Sequence, residues 1–385
     1  MILFLSSATA YPIYDRLVAD GSIKAGYTGQ KFNNNLIRGL GKQTDVISLS
    51  ALPYDNVSAD RIDEMLDGVH YIGIRNRSGK LHYAYNIKYM LEEGQRIIDE
   101  YHPDCIVCDA ISLSPSIAAT GLAKKNRIPS VGIITDVPVY MCSGKRDLLG
   151  LLGSNLMSKY DSYILLTHNM NEVVNKKHRP YMIMEGCCSD ILPDLKQKSG
   201  NKRIALYSGA LWREAAGLEY FIKGFLDAGL ENWELHFYGS GELAPYLSAL
   251  AERNSRIKFF GVVPNNIVVE KQAEADLLIN PRPSGSEFCK YSFPSKTFEY
   301  MASGTPVLMT VLPGIASEYY KYVYAIKDES SSGVSAVMRD IASKSDSELK
   351  EKGLKARDYI YNNKNCITQS GRILDFITEN FGVAL

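Results

Sequence analysis

N-P-R-P-S-G-S-E-F-C-K-Y-S-F-P-S-K-T-F-E-Y-M-A-S-G-T-P-V, residues Asn280 to Val307, follows the apolar run Asp276-Leu277-Leu278-Ile279. The run reads as a strand. The polar loop after it feeds a helix that opens at Pro294 and closes at Gly304, before a further strand over Thr305–Thr310. Proline in the first turn and glycine just past the last one are the expected punctuation. A loop that enters a helix in this way points backbone N–H groups, here those of Ser295 and Lys296, at a spot that stabilises an anion. Lys296 adds a point charge there, and Glu299 lies one turn further along the helix. Taken alone, a capped helix after a surface loop is the simpler account, so the surrounding chain decides.

Working outward, the same pattern recurs. In the first half, strands at Ile2–Ser6, Thr44–Leu49, Val69–Ile74, Asp104–Cys108, Pro129–Thr135, Ser162–Thr167 and Tyr181–Glu185 are separated by helical segments. The stretch with Tyr11 and Tyr14 reads as polar loop, and Pro53–Asp67 as irregular. Residues 186–202 break the pattern with two cysteines, two prolines and a polar run. It then restarts with strands at Arg203–Ser208, Glu234–Tyr238, Ile257–Phe260, Ala275–Asn280 and Pro306–Thr310, and helices between them. Short apolar strands alternating with helices predict α/β architecture with parallel sheets covered on both faces. Two doubly wound, Rossmann-like domains are expected: residues 1–187, a linker at 188–202, residues 203–365, and a last helix at 366–385 packing back on the first domain. Ligands of such sheets sit at the C-terminal strand ends, which places the chemistry in a cleft between the domains.

The 385 residues suit two domains, and 43 Lys+Arg against 43 Asp+Glu leave no basic excess of the kind nucleic-acid binding needs. Seven cysteines in no framework spacing predict free thiols and a reducing, cytoplasmic compartment. Met1 to Leu5 lacks the basic region of a signal peptide, and no apolar run is long enough to span a bilayer.

Four strand ends in the second half run into small or polar turns: Ser208-Gly209-Ala210, Gly239-Ser240-Gly241-Glu242, Gly261-Val262-Val263-Pro264 and Asn280-Pro281-Arg282-Pro283-Ser284. Each alone is an ordinary turn; four on one rim describe a nucleotide pocket. Neither a dinucleotide-type G-x-G-x-x-G after a strand nor a P-loop is present. These residues resemble the nucleotide-sugar-binding half of the retaining glycosyltransferases of family 4, which have the GT-B fold. The likeness runs over about 170 residues. Its most specific piece is Ser292-Phe-Pro-Ser-Lys-Thr-Phe-Glu-Tyr-Met-Ala-Ser-Gly-Thr-Pro-Val307, similar to a subgroup with an F-P-S-K-x-x-E-Y helix in bacterial exopolysaccharide and capsule pathways.

The resemblance implies that Glu299 accepts hydrogen bonds from the donor ribose and that the backbone of Val262 and Val263 recognises the base. It also implies that the amides around Pro294, Ser295 and Lys296 hold the diphosphate; Ser292, Phe293 and Gly209 are further donor-binding candidates. The family's usual phosphate-binding Arg is replaced by Ala210, leaving Arg213, Lys296 and Arg282 as substitutes. Arg213 serves equally well as a surface ion-pair residue. Where many members carry a glutamate contacting the donor sugar stands Tyr291, with Glu287 and Lys290 nearby.

In the first half, Asp109 and Asp136 each follow an apolar strand. Asp136, in Thr135-Asp136, stands beside the place of a family histidine that is absent; orienting an acceptor hydroxyl or the donor sugar, or capping the loop Val137-Pro138, fits it equally. Cys105-x-x-Cys108 lies inside a strand, which favours buried thiols over a metal site, and no metal is expected. Lys145 to Lys159, basic at both ends and apolar between, suits either peripheral contact with the inner membrane face or a core helix. The expectation is a hexosyl-type glycosyltransferase that moves a sugar from a nucleoside diphosphate sugar, UDP-linked, to a glycan or polyprenyl-linked glycan acceptor without a cofactor. The alternatives are a nucleotide-sugar epimerase on the same fold and a non-catalytic sugar-nucleotide-binding subunit.

Overall fold

The computed structural model describes residues 1–23, 29–52, 61–75, 82–137, 155–192, 194–195 and 202–385. It divides into two units, Met1–Ser189 with Lys364–Leu385, and Asp190–Asn363.

The first unit is built on eight strands: β1 (Ile2–Ser6), β2 (Val46–Leu52), β3 (Ile62–Leu66), β4 (Val69–Arg75), β5 (Cys105–Asp109), β6 (Ser130–Ile134), β7 (Ser162–Leu165) and β8 (Tyr181–Ile183). Their order across the sheet is β3-β4-β2-β1-β5-β6-β7-β8. All neighbours are parallel except β3, which pairs antiparallel with β4. Strand β3 lies within Pro53–Asp67, a stretch whose polar sequence predicts irregular structure. Its own chemistry explains the hairpin: Asp67 and Gly68 form the two-residue connection, both at positive φ (50° and 79°), the geometry for which Asp-Gly is favoured. The segment read as loop after β1 is also a helix, Tyr11–Ala19, with Pro12 in its first turn and Ile13 and Leu17 buried one turn apart. Strands β1, β2, β5 and β6 are buried along their whole length, as a sheet covered on both faces requires.

The second unit carries β9 (Arg203–Ser208), β10 (Trp233–Tyr238), β11 (Ile257–Phe259), β12 (Leu277–Asn280), β13 (Val307–Thr310) and β14 (Tyr324–Ile326), in the order β11-β10-β9-β12-β13-β14. All five pairings are parallel. This is the doubly wound order, and the strand sequence reverses between β9 and β12. In the first unit the equivalent reversal lies between β1 and β5. A crevice opens at such a point because the connections on its two sides leave in opposite directions.

Cys105 and Cys108 are both buried on β5, and burial pushes the Cys105 thiol up to about 12. Among the described residues no group of three or more His, Cys, Asp or Glu side chains is placed to hold a metal ion. Of the basic-apolar segment Lys145–Lys159, residues 145–154 lie outside the described part; Leu156 and Met157, which follow, are buried. Residues 53–60, after β2, and 138–144, after Asp136, also lie outside it. No described helix is long and apolar enough to cross a membrane.

The last helix, Cys366–Phe381, packs on helix Gln30–Gly41 of the first unit. Gly39 permits the approach, since a Cβ there would collide with Cys366 O. Polar links hold the entry of this helix. Asn365 Oδ1 caps it by accepting from Thr368 N at 2.8 Å, Gln369 Nε2 donates to Gly186 O at 2.7 Å, and Lys364 Nζ meets both Glu185 oxygens at 3.1 and 3.0 Å. The Lys364 and Glu185 side chains are each 10% exposed, so removal of either strands a buried charge.

Two outcomes are expected in chemical denaturation. Lys364→Met alone should destabilise the first unit by about 3–5 kcal/mol, whereas Lys364→Met with Glu185→Leu should come out close to wild type. Gly353→Ala sits inside helix Asp346–Lys364, where propensity alone favours alanine by about 1 kcal/mol. A Cβ there would lie 2.9 Å from Pro306 N and collide with Gly304 O, so a net loss of about 1–3 kcal/mol is expected instead.

Candidate active site

Strand β12 ends at Asn280, and the chain passes through Pro281–Ser286, a single 3-10 turn at Glu287–Lys290, and helix Ser295–Ala302. Pro294 is the residue before the helix rather than its first member, with φ −65° and ψ 116°. Thr297 N donates to Pro294 O at 2.9 Å, while the N–H groups of Ser295 and Lys296 precede any intrahelical acceptor. The first turn contains no acidic residue, so its partial positive charge is uncompensated by the helix itself. Gly304, at φ +80°, ends the helix in the left-handed conformation.

Three turns at the C-terminal strand ends, those after β9, β10 and β11, are bound to one another through backbone. Gly209 N donates to Tyr238 O (2.9 Å), Leu211 N to Ser240 O (2.9 Å) and Gly239 N to Gly261 O (2.7 Å). Tyr220 Oη reaches Pro281 O at 2.7 Å, tying in the turn after β12. Three glycines make the packing possible. Gly239 and Gly217 adopt positive φ, and a Cβ on either would collide with backbone, at Gly209 O and Pro281 O respectively; one on Gly241 would lie 2.7 Å from Leu211 O.

Lys296 reaches back from its helix across this floor. Its Nζ donates to Tyr207 Oη at 2.6 Å and lies 3.9 Å from the centre of the Tyr207 ring. Tyr207 Oη in turn donates to Ala210 O at 2.8 Å. A Cβ on Gly209, which sits at φ +133°, would collide with Lys296 Cε and Nζ. Among the described residues no carboxylate forms an ion pair with Lys296. Burial pushes its ammonium down to about 7; Glu299, one turn along, opposes the shift, and Arg282 adds to it. Arg282 lies over the Phe288 ring at 4.8 Å.

The helix is anchored from below. Tyr300 Oη accepts from Ser208 N at 2.9 Å, and Gln272 Nε2 donates to Ser208 Oγ at 2.9 Å, joining helix, β9 and the preceding helix Asn265–Glu274. Phe293 packs against Phe298 (4.9 Å between centroids) and Tyr319 (5.0 Å), which fixes the entry to the helix. Around this entry the buried Ser292 Oγ, Thr297 Oγ1 and Asn280 Nδ2 have no hydrogen-bond partner among the described residues.

The remaining candidates are placed as follows. Val262 is 74% exposed and Val263 is partly buried, on the turn after β11, beside Phe260, which stacks on Tyr238 at 4.6 Å. Arg213 pairs with Glu219 on the surface, and its backbone N–H donates to Glu242 Oε2 at 3.3 Å, so its guanidinium is engaged by a carboxylate. Tyr291 Oη donates to Glu287 Oε1 at 3.4 Å; Glu287 also pairs with Lys290 at 2.8 Å, and the Lys290 ammonium holds its carboxyl below the usual range. Asp136 follows β6 in the first unit and is partly buried. Asp109 is buried at the reversal in that sheet, accepting from Asn33 Nδ2 (3.1 Å), Ser112 Oγ (3.0 Å) and Ile111 N (3.3 Å); burial nonetheless raises its pKa. The sequence reading missed Tyr207, Gln272 and Tyr300. The available signal was a tyrosine one position before the end of a strand that runs into glycine.

Residues 202–340 match the family model described as glycosyl transferases group 1. No curated protein matches the chain by sequence. Among solved structures, sucrose-phosphate synthase from Thermosynechococcus elongatus is 13% identical, with all of both chains covered and a TM-score of 0.68. HepE from Anabaena, in complex with UDP and glucose, is 13% identical, covering 98% of this chain and 99% of its own, with a TM-score of 0.64. WaaG, a glycosyltransferase involved in lipopolysaccharide biosynthesis, is 16% identical over all of both chains, with a TM-score of 0.60. The fold is therefore GT-B: two α/β units, each a doubly wound sheet.

Tyr300→Phe removes the acceptor of Ser208 N beneath the helix. A loss of about 1–3 kcal/mol is expected in denaturation of the second unit, since a buried donor is left unsatisfied.

Proposed function

We propose that this protein is a retaining, hexosyl-type glycosyltransferase. It moves a sugar from a UDP-linked donor to a glycan or polyprenyl-linked glycan acceptor in polysaccharide biosynthesis, exopolysaccharide or capsule. The observation that carries the reading is the Lys296 amine, held without a carboxylate partner at the start of helix Ser295–Ala302, where strand order reverses. A buried cation beside open helix N–H groups is unfavourable until an anion arrives, and a diphosphate supplies one. Glu299, one turn along, accepts from the ribose hydroxyls, and the turn with Val262 and Val263 meets the base. The match of residues 202–340 to the group 1 family and the UDP named with a chain of the same fold support this choice.

In the reaction, the bond between the anomeric carbon and the diphosphate oxygen breaks. The acceptor hydroxyl oxygen bonds to that carbon with the same configuration, and its proton is released. Lys296 and the helix N–H groups stabilise the departing charge, the part a divalent cation plays in other transferases. Asp136, at the end of β6, is assigned to the acceptor side. The protein acts on the cytoplasmic face, in peripheral contact with the membrane that carries a lipid-linked acceptor.

Incubation of the purified protein with UDP-sugars, with and without membrane lipid extract, tests the reading. Acceptor-dependent release of UDP, unaffected by EDTA, is expected; isomerised donor without UDP, or binding without turnover, counts against it. In calorimetric titration, Glu299→Ala and Lys296→Ala should each weaken UDP binding by about 10- to 100-fold, the effect of one charge-assisted hydrogen bond. Wild-type affinity in both would remove the pocket assignment.

A further inference from the structure

We infer that Tyr207 is a positioning residue of the donor site: its hydroxyl and ring hold the Lys296 amine over Gly209, in place for the diphosphate. The inference rests on the reading just proposed and adds a residue to it.

The geometry is specific. Tyr207 is the next-to-last residue of β9, on the strand that borders the reversal, and its ring lies under Lys296 Nζ. The hydroxyl is already committed as donor to Ala210 O, so toward Lys296 it presents an oxygen lone pair. That directs an amine N–H to it and leaves the remaining positions on Nζ for a ligand. Residue 209 has no Cβ, and the space this leaves is where Lys296 Cε and Nζ lie. Lysine side chains are flexible and lose considerable rotamer entropy when fixed; holding this one beforehand removes that cost from ligand binding.

The charged and titratable groups that act on Nζ from the packed elements are Glu299 from its own helix and Arg282 from the loop after β12, with Tyr207 from β9 in direct contact. Arg282 repels the ammonium, Glu299 attracts it, and burial disfavours it most. With the ammonium at about 7 in the free protein, a fraction of the population is neutral at pH 7 and most is neutral at pH 8. A bound diphosphate favours the charged form, so binding takes up a proton wherever the free lysine is neutral. Affinity therefore falls as pH rises above 7, tending to tenfold per pH unit until the pKa of the bound state is reached.

The test is calorimetric titration with UDP between pH 7 and pH 9, in two buffers of different ionisation enthalpy. Wild-type protein should show proton uptake that grows with pH, together with the falling affinity. Lys296→Arg, whose cation does not titrate in this range, should bind UDP with a flat profile. Tyr207→Phe should lower UDP affinity about tenfold and move the inflection to lower pH, because the hydroxyl oxygen that favours the ammonium is gone. A purely structural tyrosine would not move the inflection. Ala210 is exposed, so its carbonyl recovers a water partner and Tyr207→Phe should fold. Gly209→Ala is the second route: it leaves Tyr207 intact, crowds the amine and should weaken UDP binding by a similar factor. Failure of wild-type protein to bind UDP overturns the donor-site reading itself. UDP binding by wild type with unchanged affinity and inflection in Tyr207→Phe, or unchanged affinity in folded Gly209→Ala, overturns this inference alone. A profile for Lys296→Arg as steep as that of wild type does the same.

Discussion

Backbone meets backbone along the C-terminal edge of the second sheet, and this close approach governs the site. The turns after β9, β10, β11 and β12 exchange main-chain hydrogen bonds or accept a tyrosine hydroxyl, with no room for side chains between them. Only residues without a Cβ fit at 217 and 239, and these also adopt a positive φ that costs other residues energy. The result is a rigid floor of main-chain groups. Lys296 crosses it from one side and the open N–H groups of helix Ser295–Ala302 border it. A site assembled on strand ends is held more firmly than one on long loops, because each turn inherits the register of its strand.

The electrostatics follow from that floor. A lysine in the first turn of a helix meets the positive end of the helix dipole, and here it is also withdrawn from water. Nothing within ion-pair distance offsets the charge among the described residues; Glu299 helps from one turn away and Arg282 opposes. What holds the amine in place is neutral: a tyrosine hydroxyl at 2.6 Å and the face of its ring. A neutral partner fixes the position of the amine without neutralising it, whereas a carboxylate would compete with an incoming anion. Arg213 illustrates the contrast, since Glu219 already occupies its guanidinium.

The first unit repeats the architecture with different chemistry. Its reversal lies between β1 and β5, and there the polar residues are amides and a carboxyl. Asp109 accepts from Asn33, and Gln30 exchanges hydrogen bonds with the backbone of Thr9 (3.1 and 2.5 Å). Thr9 Oγ1, Asn33 Oδ1 and Asn34 Oδ1 are buried there without partners among the described residues. The charge that marks the second sheet is absent from this cluster apart from Asp109, whose ionised form burial disfavours. One fold thus presents a buried lysine at the reversal in one unit and a cluster of amides around a buried carboxyl in the other.

The residues themselves determined the α/β class, the apolar strands and the helix with its Lys296 and Glu299, because those depend on short-range pattern: continuous apolar runs, proline at a helix start, glycine at its end. Even there two local features went unread, the helix Tyr11–Ala19, whose buried face is only Ile13 and Leu17, and the hairpin at Asp67-Gly68. Tertiary structure alone decided which side chains meet. Tyr207 and Lys296 are 89 positions apart, Ser208 and Tyr300 are 92 apart, and no spacing rule connects them. They come together because β9 and β12 are neighbours in the sheet, and strand order is settled by how helices cover both faces, not by the composition of any one strand. The protonation of Lys296 belongs to the same category: a lysine in a sequence carries its ordinary charge, and only burial over Tyr207 brings it near neutrality.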